Sequence, residues 1–335
     1  MQLEATNLDT NSSPVISVII PTFRRWEHLC DAIESVFNQT FTDWEIVVVN
    51  DGGGPPHGRV IDLLNNPKVK YIEHQVNLDR SAARNTGHAH SSGEYIAYLD
   101  DDDIFYPNHL ETMINALTKN SWDVVYTDAY KGVYEKDDGN YKQISKEIEY
   151  SIDFGVERLL QGNFIPIICL AHKKECQKKT GGFDPAFIVQ EDWELWLRMC
   201  RYFVFHHIPV VTAEYRVRLD KTNTTTNTNK DLWDRTTIAM YSKFLSGLDP
   251  LQDKRLQSIT RSRISRCVRK MYQRSSTLSW HERVEQYDQK LVKSMILSDW
   301  IRMFFKMPLL TMKFQLFVNQ SSNRKSTDRN KEQSY

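Results

Sequence analysis

Three short apolar runs, the first ended by Pro21 and the other two by polar residues, constrain the fold of this chain more than any other feature. They are residues 15–20, 46–49 and 95–99. Runs of this length and composition are typical of buried strands. Segments with apolar residues at helical spacing separate them. This alternation of strand and helix predicts a parallel sheet with helices on both faces.

The polar residues at the ends of these runs predict a ligand site. In parallel α/β sheets, ligands bind beyond the carboxyl ends of the strands. Thr22 follows the first run, Asp51 follows the second, and four aspartates at residues 100–103 follow the third. We therefore expect three separate segments of the chain to meet at one edge of the sheet.

Four adjacent carboxylates at the tip of a buried strand need a counter-charge, because they repel one another and are costly to desolvate. A hard divalent cation with oxygen ligands would supply that charge. The alternatives are a solvated acidic loop, or a helix that begins at Ile104 with Asp103 as its cap. We favour a metal, because the acids directly follow a predicted strand.

The same patterns predict further elements along the chain. Helices are expected at residues 58–64, 81–90, 107–118 and 193–201, and strands at residues 69–72, 123–126, 165–170 and 203–211. Residues 131–150 are polar and are predicted to be loop-like. A Thr/Asn tract at residues 223–229 marks a boundary, because the chain beyond it changes in charge. Residues 251–335 hold 18 Lys and Arg against 7 Asp and Glu, although the whole chain has a net charge of zero.

The composition is that of a globular protein in a reducing compartment. With 335 residues, 40% of them hydrophobic, the chain suits one large or two smaller domains. Its five cysteines are scattered without C-x-x-C spacing, which favours neither a zinc site nor a disulfide framework. Residues 1–14 lack the pattern of a signal peptide, and no stretch is apolar enough for a membrane span. We therefore expect a cytoplasmic location.

Six segments, in this order and spacing, resemble glycosyltransferase family 2, whose members are inverting, nucleotide-sugar-dependent enzymes of the GT-A fold. They are residues 18–23 (VIIPTF), 47–52 (VVVNDG), 83–87 (ARNTG), 93–103 (GEYIAYLDDDD), 181–184 (GGFD) and 191–198 (EDWELWLR). The resemblance extends over residues 15–218. It implies a Rossmann-like, mixed but mostly parallel sheet flanked by helices.

The resemblance also implies roles on the donor side of the site. The D-x-D motif of the family falls on residues 100–102, which makes Asp102 the expected ligand of Mn²⁺ or Mg²⁺. Asp100 and Asp101 then face the ribose or the sugar. Asp51 resembles the family's acid that reads the nucleobase, commonly uracil, although an ordinary Asp-Gly turn is the alternative.

Other donor and acceptor roles are carried over in the same way. Pro21, Thr22 and Phe23 resemble the wall under the nucleotide, and Arg80 is placed to approach a phosphate as a cation. Arg84, one turn later, is equally suited to a structural ion pair.

Asp192 resembles the catalytic base, which takes a proton from the acceptor hydroxyl. Glu191 and Trp193 are expected on the acceptor side. The alternatives are that the two acids suit the first turn of a helix and that the tryptophan belongs to the core.

One departure from the family pattern concerns a cation. Many members carry a His two residues after the arginine that corresponds to Arg216, whereas this chain has Arg218 there. If that His contacts metal or phosphate in relatives, a permanent cation replaces it here. We therefore expect no additional metal ligand at this position.

These observations predict a catalytic domain at residues 15–222, with a nucleotide-binding half at 15–105 and an acceptor half at 106–222. A basic, mainly helical extension is expected at residues 230–318, with disordered ends at 1–14 and 319–335. Residues 299–318 have the amphipathic, basic character of a membrane-surface segment. The alternative is that this face packs on the catalytic domain or on a second subunit.

The predicted function is transfer of a sugar from a nucleotide-diphosphate sugar, commonly a UDP-sugar, to a saccharide or lipid-linked acceptor. Such a reaction would serve cell-surface polysaccharide or glycolipid synthesis at the inner face of the membrane. A catalytically inactive nucleotide-sugar-binding module is the first alternative. A sugar-1-phosphate nucleotidylyltransferase is the second, disfavoured because no glycine-rich loop follows the first strand. No nucleic-acid recognition motif accompanies the basic tail, so we expect no nucleic-acid partner.

Overall fold

The computed structural model describes residues 13–138, 140–220 and 229–274. Its first part alternates strands and helices as predicted. These elements are β1 (Ile16–Thr22), α1 (Trp26–Phe37), β2 (Trp44–Asn50), α2 (Val60–Leu64), β3 (Val69–Glu73), α3 (Asp79–His90) and β4 (Tyr95–Tyr98). Five further strands and six further α-helices follow among the described residues. They are β5 (Ile104–Phe105), α4 (His109–Lys119), β6 (Val124–Asp137), β7 (Asn140–Tyr150), α5 (Val156–Leu159), β8 (Leu170–Lys173), α6 (Cys176–Thr180), α7 (Glu191–Met199), β9 (Phe205–Arg218), α8 (Lys230–Ser246) and α9 (Lys254–Arg274).

The strands form one mixed sheet in the order β3-β2-β1-β4-β8-β6-β9-β5, with β7 paired to β6. The first four of these strands are parallel. β8 is antiparallel to both of its neighbours, whereas β6 and β9 run parallel. The predicted class, a mixed α/β sheet flanked by helices, is confirmed.

Burial explains why the parallel strands read as continuous apolar runs. All seven residues of β1 and all seven of β2 are buried, as expected where helices cover both faces of a parallel sheet. The apolar residues of α1 at helical spacing are buried as well, namely Leu29, Ala32, Ile33 and Val36, whereas Phe37 at its end is only partly buried. The ends of β1, β2 and β4 are thereby fixed side by side at one edge.

Two local predictions, and one of the alternatives considered for the acid run, were wrong. The polar residues 131–150 form most of the β6–β7 hairpin instead of a loop; β7 is exposed along nearly all of its length and therefore has no apolar alternation to reveal it. The acid run is followed by β5 instead of a helix, so Asp103 does not cap one. Residues 167–169 form a short 3₁₀ turn before β8, where a longer strand was expected.

The chain divides into two compact units, Met1–Met240 and Tyr241–Tyr335. All strands of the described residues lie in the first unit, whereas the described part of the second is helical. No helix among the described residues is long and apolar enough to cross a membrane. The predictions for residues 1–12, 299–318 and 319–335 concern segments outside the described residues. The division of the catalytic domain into nucleotide and acceptor halves stays a prediction.

Candidate active site

A cavity of about 420 Å³ lies at the carboxyl edge formed by β1, β2 and β4. All eight residues predicted for the donor and the metal line it, namely Pro21, Thr22, Phe23, Asp51, Arg80, Asp100, Asp101 and Asp102. The sheet thus brings the predicted donor side together in one place. The three residues predicted for base and acceptor roles, Glu191, Asp192 and Trp193, are not among those that line this cavity.

The end of β2 holds Asp51 in a fixed orientation. Its backbone N–H donates to the Thr22 carbonyl at 2.8 Å, which ties the ends of β1 and β2 together. Its Oδ1 accepts from the Leu78 N–H at 2.9 Å and lies 2.7 Å from the ring nitrogen Nδ1 of His74. Asp51 is 4% exposed yet lines the cavity. It is therefore a rigid hydrogen-bonding group rather than a free turn residue.

Arginines supply counter-charge to the acid run. Arg84 Nη2 lies 2.6 Å from Asp100 Oδ1. Arg25 Nη1 lies 3.1 Å from Asp101 Oδ1 and 2.9 Å from Asp102 Oδ2. Electrostatic compensation at these acids is thus built into the chain, whereas the sequence argument had considered only a metal for this role.

Two further contacts complete the surroundings of the run. Thr22 donates its hydroxyl to Asp101 Oδ2 at 2.7 Å, which joins the tips of β1 and β4. Asp103 accepts from the Arg216 backbone N–H at 2.8 Å, so its carboxylate anchors β9. Asp103 is buried and is not among the residues that line the cavity, so it serves the fold.

The pKa values in this run reflect burial and mutual repulsion. Burial and the charge of Asp102 raise the pKa of Asp101 to about 7. Burial likewise raises the pKa of Asp102, against the opposing effect of Arg25. Asp100 differs: burial raises its pKa, but the charges of Arg84, Arg80 and Arg25 and the hydrogen bond from Arg84 together hold it below the usual value. The arginines thus offset burial and mutual repulsion at Asp100 but not at Asp101 or Asp102.

The donor chemistry of the site fits a divalent metal held jointly with a ligand. Among the described residues, no three His, Cys, Asp or Glu side chains are grouped to hold a metal on their own. Mg²⁺ usually takes one or two carboxylates and completes its shell with phosphate oxygens and water. Asp102, with Asp100 or Asp101 beside it, offers such carboxylates on the cavity wall.

The two arginines of the α3 region have different roles. Arg84 is buried and lies 2.6 Å from both Glu191 Oε1 and Asp100 Oδ1. It therefore forms the structural ion pair that the sequence analysis considered for it. Arg80 lines the cavity, and its Nε lies 3.5 Å from the same oxygen of Glu191. It is accordingly the arginine of α3 that a ligand reaches.

Asp192 lies in the first turn of α7, as predicted, in a partly buried position. Asn163 donates to its Oδ2 at 2.9 Å, and the Trp193 N–H donates to its Oδ1 at 2.7 Å. Burial and the neighbouring charge of Glu191 raise the pKa of Asp192 to about 6. A carboxylate with a pKa near 6 is suited to accept a proton at neutral pH.

The other two residues predicted for the acceptor side are occupied elsewhere. Glu191 is 3% exposed and engaged by Arg84. Trp193 is 6% exposed, and its Nε1 donates to the Leu159 carbonyl at 2.8 Å. The structure thus places Glu191 in a buried ion pair and Trp193 in the core, the alternative already considered for the tryptophan.

Sequence reasoning missed several residues of the site. Arg25, Asn77, Asp79, Ile188 and Tyr215 also line the cavity. Arg25 lies three residues beyond the end of β1, so its position could have suggested it. The others lie on loops, at the start of α3 or on the distant strand β9, and nothing in the sequence pattern distinguishes them from ordinary surface residues.

His74 and Arg218 do not line the cavity, but each contacts an aspartate that does. His74 follows directly after β3 and holds Asp51. The rule that ligands bind beyond the carboxyl ends of parallel strands was therefore sufficient to find it. Arg218 Nη1 lies 3.4 Å from Asp102 Oδ2. The sequence had singled out Arg218 as a departure from the family pattern, and the structure connects that departure to the predicted metal ligand.

The mixed sheet, with acids and arginines gathered at its carboxyl edge, defines an α/β protein with one candidate ligand site at that edge. Residues 17–173 match the sequence model described as Glycosyl transferase family 2, so this part of the chain is a glycosyltransferase family 2 domain. The uncharacterized glycosyltransferase RT0329 of Rickettsia typhi is 29% identical over 243 residues, which cover 70% of this chain and 73% of that protein. YwdF of Bacillus subtilis, an uncharacterized glycosyltransferase, is 29% identical over 201 residues, covering 60% and 73%.

Solved structures support the same fold. TarS of S. aureus matches with a TM-score of 0.63 at 13% identity. The match covers 85% of this chain, and this chain spans half of that longer structure. TarS 1–349 in complex with UDP-GlcNAc matches with a TM-score of 0.58 at 13% identity, covering 76% of this chain and 71% of that structure. At this identity the likeness establishes the fold alone.

Proposed function

We propose that this chain transfers a sugar from a UDP-sugar to a hydroxyl of a saccharide or lipid-linked saccharide acceptor, with inversion at the anomeric carbon. The observation that carries the proposal is the cavity at the sheet edge, where the eight residues predicted for the donor and the metal lie together. Structures of TarS 1–349 hold UDP and UDP-GlcNAc, which supports a nucleotide-diphosphate sugar as donor.

On the donor side, the chain's own residues bind and orient the nucleotide. Asp51 accepts hydrogen bonds from the base, because His74 and Leu78 fix its carboxylate at the cavity wall. Thr22 and Phe23 form the wall beside it. Arg80 offers its guanidinium to phosphate oxygens. These contacts hold the sugar with its anomeric carbon open to attack.

We further propose that Mn²⁺ or Mg²⁺ is bound by Asp102 with the donor, and that Asp100 and Asp101 face the ribose or the sugar. When bound, the metal acts as a Lewis acid that stabilises the diphosphate leaving group. The carboxylates of this chain orient the donor at the end of β4. The buried Arg84 holds Asp100 in place from behind.

Asp192 is proposed as the general base. Its carboxylate takes the proton of the acceptor hydroxyl as the oxygen bonds to the anomeric carbon and the bond to the diphosphate breaks. Asn163 and the Trp193 N–H hold the carboxylate in one orientation. Attack from the face opposite the leaving group gives inversion.

The proposed setting is cell-surface polysaccharide or glycolipid synthesis at the inner face of a membrane. It follows from the nature of such acceptors, which are commonly lipid-linked, and from the basic, amphipathic character of residues 299–318. The acceptor itself is therefore proposed by class only.

Release of nucleotide from UDP-, GDP- and dTDP-sugars, followed with and without Mn²⁺ in the presence of a panel of saccharide acceptors, tests the proposal. We expect metal-dependent release of UDP that increases when an acceptor is added. Binding of UDP without any turnover would instead identify an inactive nucleotide-sugar-binding module. Failure to bind UDP with or without Mn²⁺ would contradict the donor assignment.

A further inference from the structure

The carboxylate proposed to bind the metal already contacts two cations of the chain. Arg25 Nη1 lies 2.9 Å from Asp102 Oδ2 and 3.1 Å from Asp101 Oδ1. Arg218 Nη1 lies 3.4 Å from the same Asp102 oxygen, and its Nη2 donates to the Asp102 backbone carbonyl at 3.2 Å. A divalent cation at Asp102 would therefore meet positive charge that is already in place.

A metal and Arg25 cannot both use this oxygen without close approach. A metal of this kind lies about 2.1 Å from a carboxylate oxygen, so with Arg25 Nη1 at 2.9 Å from that oxygen the two cations would be at most about 5 Å apart. Like charges this close repel strongly in a buried site. One of the two arginines must therefore move, or the metal must arrive with negative charge of its own.

Arg25 is the arginine that is able to move. Its side chain is 24% exposed and lines the donor cavity. The side chain of Arg218 is 4% exposed and is not among the residues that line this cavity. A diphosphate that enters the cavity offers oxygens to which a guanidinium group binds through paired N–H groups. Arg25 thus has an alternative partner within the cavity, whereas Arg218 is fixed behind the acid.

We propose that Arg25 determines which cation the site accepts: it excludes a metal that arrives alone, and it transfers from Asp102 to the diphosphate when metal and nucleotide enter together. This inference rests on the proposed function, because it takes the metal and the diphosphate from it. Its consequence is a site that takes the metal–nucleotide complex in preference to either component.

Direct metal binding tests the inference without any measurement of transfer. Mn²⁺ alone is titrated against the full chain and followed by the electron paramagnetic resonance signal of the free ion. Arg25→Gln, which removes the competing charge, is expected to bind Mn²⁺ at least about tenfold more tightly than the unmodified chain. In the presence of Mn²⁺ the same variant is expected to bind UDP at least about fivefold more weakly, because it has lost a cation for the diphosphate.

Arg24→Gln is the matched control. Arg24 is exposed, precedes Arg25 in the same loop and places its guanidinium over the Phe23 ring at 4.9 Å. The Arg24→Gln substitution removes the same charge as Arg25→Gln without altering a contact to the acids. It should leave the affinity for Mn²⁺ alone within twofold of that of the unmodified chain. If Arg25→Gln does not fold, Arg25→Met removes the charge with a side chain that retains an apolar stem.

The outcomes separate this inference from the proposed function. If the unmodified chain binds UDP with Mn²⁺ but the neutral variants bind Mn²⁺ alone no more tightly than it does, only the role of Arg25 is overturned. If neither the unmodified chain nor the variants bind Mn²⁺ with UDP present, the metal-dependent donor site itself is overturned. Opposite effects on Mn²⁺ alone and on UDP support the inference.

Discussion

At the scale of single residues, Asp192 gives the most direct test of the proposed chemistry. We expect Asp192→Asn to lower the transfer rate by about 10²–10⁴-fold, the usual contribution of a positioned general base. UDP binding should persist, because Asp192 is not among the residues that line the donor cavity. Steady-state transfer and UDP titration of the same preparation measure the two effects.

The matched control for this substitution is Asp62→Asn, which removes a carboxylate from the exposed face of α2. It should leave both transfer and UDP binding unchanged. Near-normal transfer by Asp192→Asn would show that another group takes the proton. Loss of UDP binding along with transfer would indicate a role in the donor site instead.

The raised pKa of Asp192 gives a second prediction. Its pKa is raised from 3.8 to about 6 by burial and by Glu191, and the base acts only when deprotonated. Activity with saturating donor should therefore be full above pH 7 and fall about tenfold per pH unit below pH 6. The residual activity of Asp192→Asn should lack this limb. A limb near pH 4, the range of an ordinary carboxyl, would contradict the assignment.

At the scale of elements, the close packing of α3 on β1 positions the site. Gly87 of α3 faces Ile19 of β1 so closely that a Cβ on Gly87 would overlap the Ile19 Cγ2. Ile19 is fully buried and has little room to move. α3 carries Arg80 toward the cavity and Arg84 toward the acids, so this contact sets the position of both arginines.

Gly87→Ala should therefore destabilise the protein by about 1–2 kcal/mol, because overpacking at Ile19 exceeds the gain in helix propensity. The midpoint of urea unfolding, read by circular dichroism, measures the change. Gly162→Ala is the control, since a Cβ at Gly162 meets no atom within 4 Å. Equal midpoints for the two variants would mean that Ile19 yields to the added methyl group.

Elements also show how far the sequence determines this fold. β1, β2 and β4 were predictable because both faces of each are buried, which makes their sequences continuous apolar runs. The β6–β7 hairpin was not, because β7 faces solvent and is held mainly by backbone pairing with β6. A strand stabilised by pairing rather than by burial leaves no hydrophobic period to read.

The residues of the site likewise fall into those that the sequence predicts and those that it does not. The carboxyl ends of the parallel strands predicted Thr22, Asp51 and the aspartates 100–102, since topology alone brings them together, whereas Pro21, Phe23 and Arg80 came from the family resemblance. The arginine contacts were not predictable, because Arg25 and Arg218 are 77 and 116 residues distant from Asp102 in sequence. Which cation reaches an acid depends on side-chain geometry, and a single sequence contains no record of that.

At the scale of the whole molecule, charge is unevenly distributed along a chain whose net charge is zero. The acids that define the donor cavity belong to the first compact unit, Met1–Met240, whereas the second, Tyr241–Tyr335, is rich in Lys and Arg. Polybasic segments are drawn to anionic lipid by about 1 kcal/mol per residue near the surface. This asymmetry favours different roles for the two units, with donor chemistry in the first and attachment to a membrane surface in the second.

We therefore expect the full chain to bind vesicles that contain phosphatidylglycerol, and to bind neutral phosphatidylcholine vesicles weakly. Reversing two charges with Lys306→Glu and Lys313→Glu should weaken binding at least about tenfold, as measured by co-sedimentation at low salt. The matched control reverses Lys178 and Lys179, two exposed lysines of α6, and should bind as the unmodified chain does.

Because surface charges are screened within about 8 Å at physiological salt, added NaCl should release the protein from the vesicles. Equal loss in both double variants would indicate attraction by overall charge rather than by residues 299–318.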